Sequence, residues 1–132
     1  MSGQHMQIGE VAVRTDLPLR TIRHYEDAGL VAPSARTQGG FHLYTESDVA
    51  RLTVVRSMKP LGFTLDEIRT LLETTDRLDS GEPLSPREAG QLLGRIRGFE
   101  QAAQRKVEEL RAQLAQAEEF AGALSARLGR RR

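Results

Sequence analysis

Four polar side chains in the stretch Leu19 to Leu30 could meet a charged partner together. Arg20, Arg23, His24 and Asp27 fall at i, i+3, i+4 and i+7, so a helix here carries them on one face, with Ile22 and Tyr25 on another. Guanidinium groups present paired N–H donors, so a face holding two arginines suits an anionic surface. In isolation the same pattern also describes a solvated helix with an Arg23–Asp27 pair, and the choice depends on the elements around it. Tyr25 serves either role, because a buried ring with its hydroxyl at the surface can be core and phosphate contact at once. His24 reads as a packing or phosphate residue instead of a metal ligand, since no second ligand shares its face.

Other chemistry is poorly supported. The chain has no Cys, which excludes disulfides, iron–sulfur clusters and thiolate metal sites. Its three histidines, His5, His24 and His42, do not cluster with carboxylates, so no metal site and no cofactor is expected. Glu108, Glu109, Glu118 and Glu119 pair up on an Ala- and Arg-rich helix and read as solvated surface, and no nucleophile–base or phosphate-loop constellation accompanies them. An enzyme is not expected.

The elements that must position the arginines follow from pattern. Ile8, Val11, Ala12 and Thr15 repeat at helical spacing, giving a short helix over about residues 7–15. Asp16-Leu17-Pro18 breaks it, and Pro18 can occupy a cap or first-turn position of the next helix, so a helix-turn-helix is predicted. Gly29 then closes the second helix in a left-handed conformation. From Val31 to Tyr44 the pattern becomes a small two-stranded wing, with Arg36 near its base and Gly39-Gly40 at its turn. Thr45–Asp48 resembles a capping box, and the helix after it buries Val49, Leu52 and Val55 before Pro60 stops it. Thr64–Glu67 is a full capping box, with Leu65, Ile68, Leu71 and Leu72 on the face it opens.

Residues 76–85 are polar with Gly and Pro and read as a linker. Ser85-Pro86-Arg87-Glu88 then combines N-cap, proline at N1 and glutamate at N3. An apolar stripe through Leu92, Ile96, Phe99, Val107, Leu110, Leu114 and Leu124 runs along one helix over 86–128, which at ~1.5 Å per residue spans about 60 Å. A small domain cannot cover that length, so a homodimeric, antiparallel coiled coil is expected. Residues 1–6 are expected to be a disordered N-terminus or tag remnant, 7–75 a winged helix-turn-helix domain, and 129–132 a basic tail.

The net charge of +1 does not announce a nucleic-acid partner, but charge is segregated: residues 61–84 are acidic and 85–132 basic. Aromatics are 5 % of the chain with no Trp, consistent with a core partly shared with a partner. There is no apolar run of membrane-spanning length and no signal-peptide pattern, which makes the cytoplasm the default location.

With the elements placed, the residues resemble the MerR family of bacterial transcription regulators. The likeness lies in Ile8-Gly9-Glu10-Val11-Ala12, Arg20 through Leu30, Gly40 through Tyr44, Asp48-Val49-Ala50-Arg51-Leu52 and Leu61 through Ile68, in the family's order across residues 7–72. It implies a mainly α chain, a winged helix-turn-helix DNA-binding domain followed by a long C-terminal helix that pairs into an antiparallel coiled-coil dimer. It also implies a palindromic promoter site whose spacer is bent and untwisted, and bacterial RNA polymerase at that promoter. Carried over by position, Arg20, Thr21, Arg23 and His24 would contact DNA from the reading helix and Tyr25 would touch phosphate. Arg36 and His42 in the wing and Lys59 at the end of the wing helix would add backbone contacts.

Three departures stand out. Asp16 replaces the family's usual Gly, Pro18 its usual Ser or Thr, and Phe41-His42 its usual Tyr-Arg. The last change trades a permanent cation for a group whose charge depends on pH. Members that sense metals or oxidants use Cys near the end of the dimer helix, which this chain lacks, so the effector is not specified and an apolar ligand near Phe99 or Phe120 stays open. The function expected is therefore a homodimeric, sequence-specific regulator on double-stranded promoter DNA, including the variant of a repressor without small-molecule input. The contrasting reading is a protein-interaction module whose long helix binds another chain.

Overall fold

The computed structural model describes residues 5–33 and 35–131. Its elements are β1 (Met6–Gln7), α1 (Ile8–Thr15), α2 (Leu19–Asp27), β2 (Ala35–Arg36), β3 (His42–Tyr44), α3 (Glu46–Met58), a 3₁₀ turn (Lys59–Leu61), α4 (Leu65–Asp79) and α5 (Pro86–Arg130). The chain divides into two units between Ser85 and Pro86. No helix among the described residues is long and apolar enough to cross a membrane.

In the first unit α1 packs on α2 and α3, and α3 packs on α4. Val11, Ile22, Leu30, Tyr44, Leu52, Val55 and Ile68 are fully buried between them. Both predicted capping boxes form. Thr45 Oγ1 accepts from the Asp48 amide while Asp48 accepts from the Thr45 amide, and Thr64 and Glu67 do the same at α4. These two starts fix where α3 and α4 begin, by pairing amides that would otherwise lack acceptors.

Helix α2 ends as its glycine predicted. The Leu30 amide donates to the Tyr25 carbonyl at 3.0 Å and the Gly29 amide to the Glu26 carbonyl at 3.0 Å, with Gly29 at φ +80°. This is the paired-bond helix ending that only a residue without a Cβ adopts at little cost. At the other end Pro18 is the N-cap and offers no side-chain acceptor, in keeping with the missing hydroxyl.

Four expectations are corrected. The wing is a three-stranded antiparallel sheet in the order β1-β3-β2, with Met6 opposite Tyr44 and Ala35 opposite Leu43. A two-residue edge strand is too short to show periodicity, so β1 left no pattern to read. Met6, expected in a disordered or tag segment, is 6 % exposed and part of that core. The stretch 76–79, expected as linker, completes α4, because Asp76 is held by Arg51 at 2.7 Å and the helix stops only at Ser80-Gly81. Residues 129 and 130, expected in a tail, extend α5. Of the two turn glycines, only Gly40 takes a positive φ, +84°.

The second unit is the single helix α5. Leu92 is buried and Ile96 and Phe99 are half-buried, whereas Val107, Leu110, Leu114 and Leu124 are exposed. The stripe thus lies open along its later half, with Leu114 at 59 % and Leu128 at 73 % exposure.

Asp16 closes α1 at φ 56°, ψ 38°, a left-handed conformation that strains a residue with a Cβ. Asp16→Gly is expected to stabilise the fold by about 0.5–1 kcal/mol, read as a higher urea midpoint with an unchanged slope.

Candidate nucleic-acid interface

The exposed polar face of α2 is built by subtraction. Ile22 and Tyr25 turn inward and are buried, which forces Arg20, Arg23, His24 and Asp27 outward, where all four are exposed. Thr21 is half-buried at the edge of that face. Tyr25 is 7 % exposed, and no buried side-chain polar atom among the described residues lacks a hydrogen-bond partner. His24 lies against it with ring centroids 5.7 Å apart and a tilt of 49°.

Most other arginines of this unit are occupied internally. Arg56 donates to the Thr15 carbonyl at 2.7 Å, closing the end of α1. Arg69 donates to the Ala28 carbonyl at 2.5 Å, and Arg51 Nε donates to the Leu30 carbonyl at 3.1 Å, both just past the last turn of α2. Arg51 also grips Asp76, and Arg69 pairs with Asp66. Arg14 lays its guanidinium fork on the Glu46 carboxylate, with Nη2 to Oε2 at 2.6 Å. That bond holds the Glu46 carboxyl below the usual carboxylate range and the Arg14 guanidinium above its own. Arg77 donates to the Pro83 carbonyl at 3.2 Å.

Among the described basic side chains of the first unit, those of Arg20, Arg23 and Lys59 remain without a hydrogen bond or ion pair. The pair of Arg23 with Asp27 that a merely solvated face would favour does not form. Lys59 sits exposed at the C-cap of α3. Arg36 has its backbone in β2, opposite His42, but its side chain lies outside the described residues.

His42 is tied to α2. Its Nδ1 is 2.7 Å from Glu26 Oε1, and the Tyr44 hydroxyl donates to Glu26 Oε2. Glu26 was not singled out by sequence, because the residues that meet it lie 16 and 18 positions away and neither spacing has a local signature. Between α2 and the wing an open cleft of ≈ 340 Å³ is lined by Gln7, Ile8, Arg23, Glu26, Asp27, Gly40, Phe41, His42 and Tyr44. Phe41 is 66 % exposed there, the most open aromatic of the wing.

Burial, followed by the bond to Glu26 and that residue's charge, pushes the Tyr44 hydroxyl well above its ordinary value of 10.0. The neutral form is favoured in the fold, so its contribution is complete below the unfolded value and is lost as pH rises through the folded one. Tyr44→Phe is expected to cost about 1.5–3 kcal/mol at neutral pH by leaving the carboxylate one donor short. Chemical denaturation across pH should show that difference shrinking at alkaline pH, above the ordinary value of 10.0.

Comparison with known proteins agrees with this geometry. Residues 6–75 match the family described as "MerR HTH family regulatory protein", and residues 49–126 match "MerR, DNA binding". The chain is similar to the transcriptional regulator YfmP of Bacillus subtilis (strain 168), 40 % identical over 97 residues that cover 69 % of each chain. It is also similar to the regulator ZntR of Escherichia coli (strain K12), 47 % identical over 66 residues, 50 % of this chain and 47 % of that one. The chain therefore spans about half the length of ZntR. Among solved structures, the regulator PbrR691 of Ralstonia metallidurans CH34 in complex with lead(II) aligns with a TM-score of 0.53 and 33 % identity, covering 83 % of this chain and 82 % of that one. The described fold and two family matches that together span residues 6–126 make the chain a member of the MerR family of helix-turn-helix transcription regulators.

Proposed function

We propose that this chain acts as a homodimeric, sequence-specific regulator on double-stranded promoter DNA. The observation that carries the reading is the pair of uncommitted guanidinium groups, Arg20 and Arg23, on the exposed face of a helix whose other side is buried core. Two-turn helices presented in this way fit the major groove, where arginine reads guanine edges or phosphate. Thr21 and His24 flank them on the same helix, the Tyr25 hydroxyl faces phosphate, and Lys59 and the wing residue Arg36 grip the backbone. His42 acts through Glu26 in this reading, not as a backbone cation.

The open stripe Val107, Leu110, Leu114 and Leu124 supports the second half. Apolar residues at three- and four-residue steps on a helix of 45 residues want a partner helix. An antiparallel pair of α5 helices, continuing through Leu92, Ile96 and Phe99, would place two reading helices on one palindrome. Bending and untwisting of the promoter spacer for RNA polymerase, in the cytoplasm, follows from the family resemblance. The same stripe would serve the interaction-module reading, and the mass of the chain in solution separates the two. A stable monomer would favour that alternative.

Fluorescence anisotropy with a duplex from the promoter of its own gene tests the regulator. Binding should weaken steeply with added salt and should need both halves of a palindrome. Arg23→Ala is expected to cost about 1–3 kcal/mol on that duplex with the dimer intact, while Lys59→Ala weakens all sequences alike and lowers the salt slope by about 1. Salt-independent binding, or equal affinity for a scrambled duplex, would refute the proposal.

A further inference from the structure

One carboxylate joins the reading helix to the wing. Glu26, in the last turn of α2, has a side chain 14 % exposed, and its two oxygens are divided between two residues of β3. Oε1 lies 2.7 Å from His42 Nδ1, and Oε2 accepts from the hydroxyl of Tyr44, itself fully buried. Residues two apart on a strand point to the same side, which is why both reach a single acceptor. A carboxylate accepting two hydrogen bonds from one strand fixes both the distance and the roll of that strand. The hairpin loop beyond it carries bonds of its own, Thr37 amide to Phe41 carbonyl at 2.9 Å, Gly40 amide to Thr37 carbonyl at 2.9 Å and Phe41 amide to Thr37 Oγ1 at 3.1 Å.

We propose that Glu26 is a positioning residue for DNA recognition, which through His42 and Tyr44 sets where the wing stands relative to the arginine face of α2. The inference rests on the DNA-binding reading given above. Base contacts from α2 and backbone contacts from the wing are made together only if their separation suits the duplex, and backbone contacts set the register in which bases are read. Removing the strut leaves the helix-turn-helix core in place and lets the wing drift. The loss then falls on discrimination between sequences more than on attraction to DNA. Glu26 itself carries the wrong sign for phosphate, so direct contact with the backbone does not account for its place beside Arg23.

The test uses the full chain, a promoter duplex and a scrambled duplex of equal length, with amide hydrogen exchange at Thr37 and Gly40 as a readout independent of DNA. Glu26→Ala is expected to speed exchange at both amides about tenfold and to lower the promoter-to-scrambled affinity ratio about tenfold. His42→Ala cuts one arm and leaves the Tyr44 bond, with about a threefold change in each. Glu26→Gln should restore both readouts to within about twofold, because its amide oxygen can accept from Tyr44 and its amide nitrogen can donate to an imidazole nitrogen. Unchanged wing exchange in Glu26→Ala would overturn the proposal. So would a fall in both affinities in step with thermal stability, which marks a residue of the core, or failure of Glu26→Gln to rescue. His42→Ala weakening both duplexes equally, with a shallower salt dependence, would show a direct phosphate contact instead. A wild-type chain that does not distinguish the duplexes would remove the DNA reading itself, and exchange at the wing would then decide whether the strut exists.

Discussion

The placement of α2 depends on how its C-terminal end is bonded. A nine-residue helix has no stability of its own, and its last carbonyls need donors. Here the donors come from three directions. The chain's own Gly29 and Leu30 amides turn back onto Glu26 and Tyr25, while Arg51 of α3 and Arg69 of α4 reach across to Leu30 and Ala28. Positive charge at this end also opposes the helix dipole. The two later helices, whose own starts are fixed by capping boxes, therefore hold the end of α2 that its glycine shapes. Misplacing α3 or α4 would move the arginine face as surely as a change within α2.

Charge in this protein is informative only after that structural use is removed. A total of +1 says nothing about a polyanionic partner. Six of the first unit's arginines, namely Arg14, Arg51, Arg56, Arg69, Arg77 and, by its strand position, Arg36, sit on structural elements other than α2, and the first five are bonded within the fold. What is left uncommitted on α2 is Arg20 and Arg23. Their side of the molecule also carries Glu26, whose charge is shared with Tyr44 and His42, so an acidic group sits near the cationic face with both its oxygens occupied.

What the residues announced in advance was whatever they decide locally. Both capping boxes, the Gly29 ending and the start of α5 at Pro86 are written in four- to six-residue windows, because a cap is a bond between near neighbours. The exposed set Arg20, Arg23 and His24 was legible for the same reason, since helical period alone separates it from Ile22 and Tyr25. Strand β1 was not, being two residues long. The link from His42 to Glu26 and the arginine bonds to Thr15, Ala28 and Leu30 were not legible either. A backbone carbonyl looks the same under every residue type, so no pattern marks the one that a distant guanidinium will find. The extent of α4 was missed because its last turn is polar, and a polar last turn held by Arg51 to Asp76 reads in sequence like a linker.

The turn between α1 and α2 shows how such distant bonds compensate for weak local ones. Asp16 takes a left-handed conformation that glycine would adopt more easily, and Pro18 caps α2 without a side-chain acceptor. By local chemistry this junction should be soft. It is instead closed from outside: Arg56 bonds the Thr15 carbonyl, the buried Thr15 hydroxyl bonds the Val11 carbonyl at 2.7 Å, and the Arg14–Glu46 fork ties the last turn of α1 to the first turn of α3. Proline adds stiffness of another kind, since its fixed φ of −62° already suits the residue that precedes a helix. The angle between α1 and α2 is therefore set by α3 more than by the three residues that connect them. A change in how α3 sits would reach the end of α1 and the turn through Arg56, and the end of α2 through Arg51.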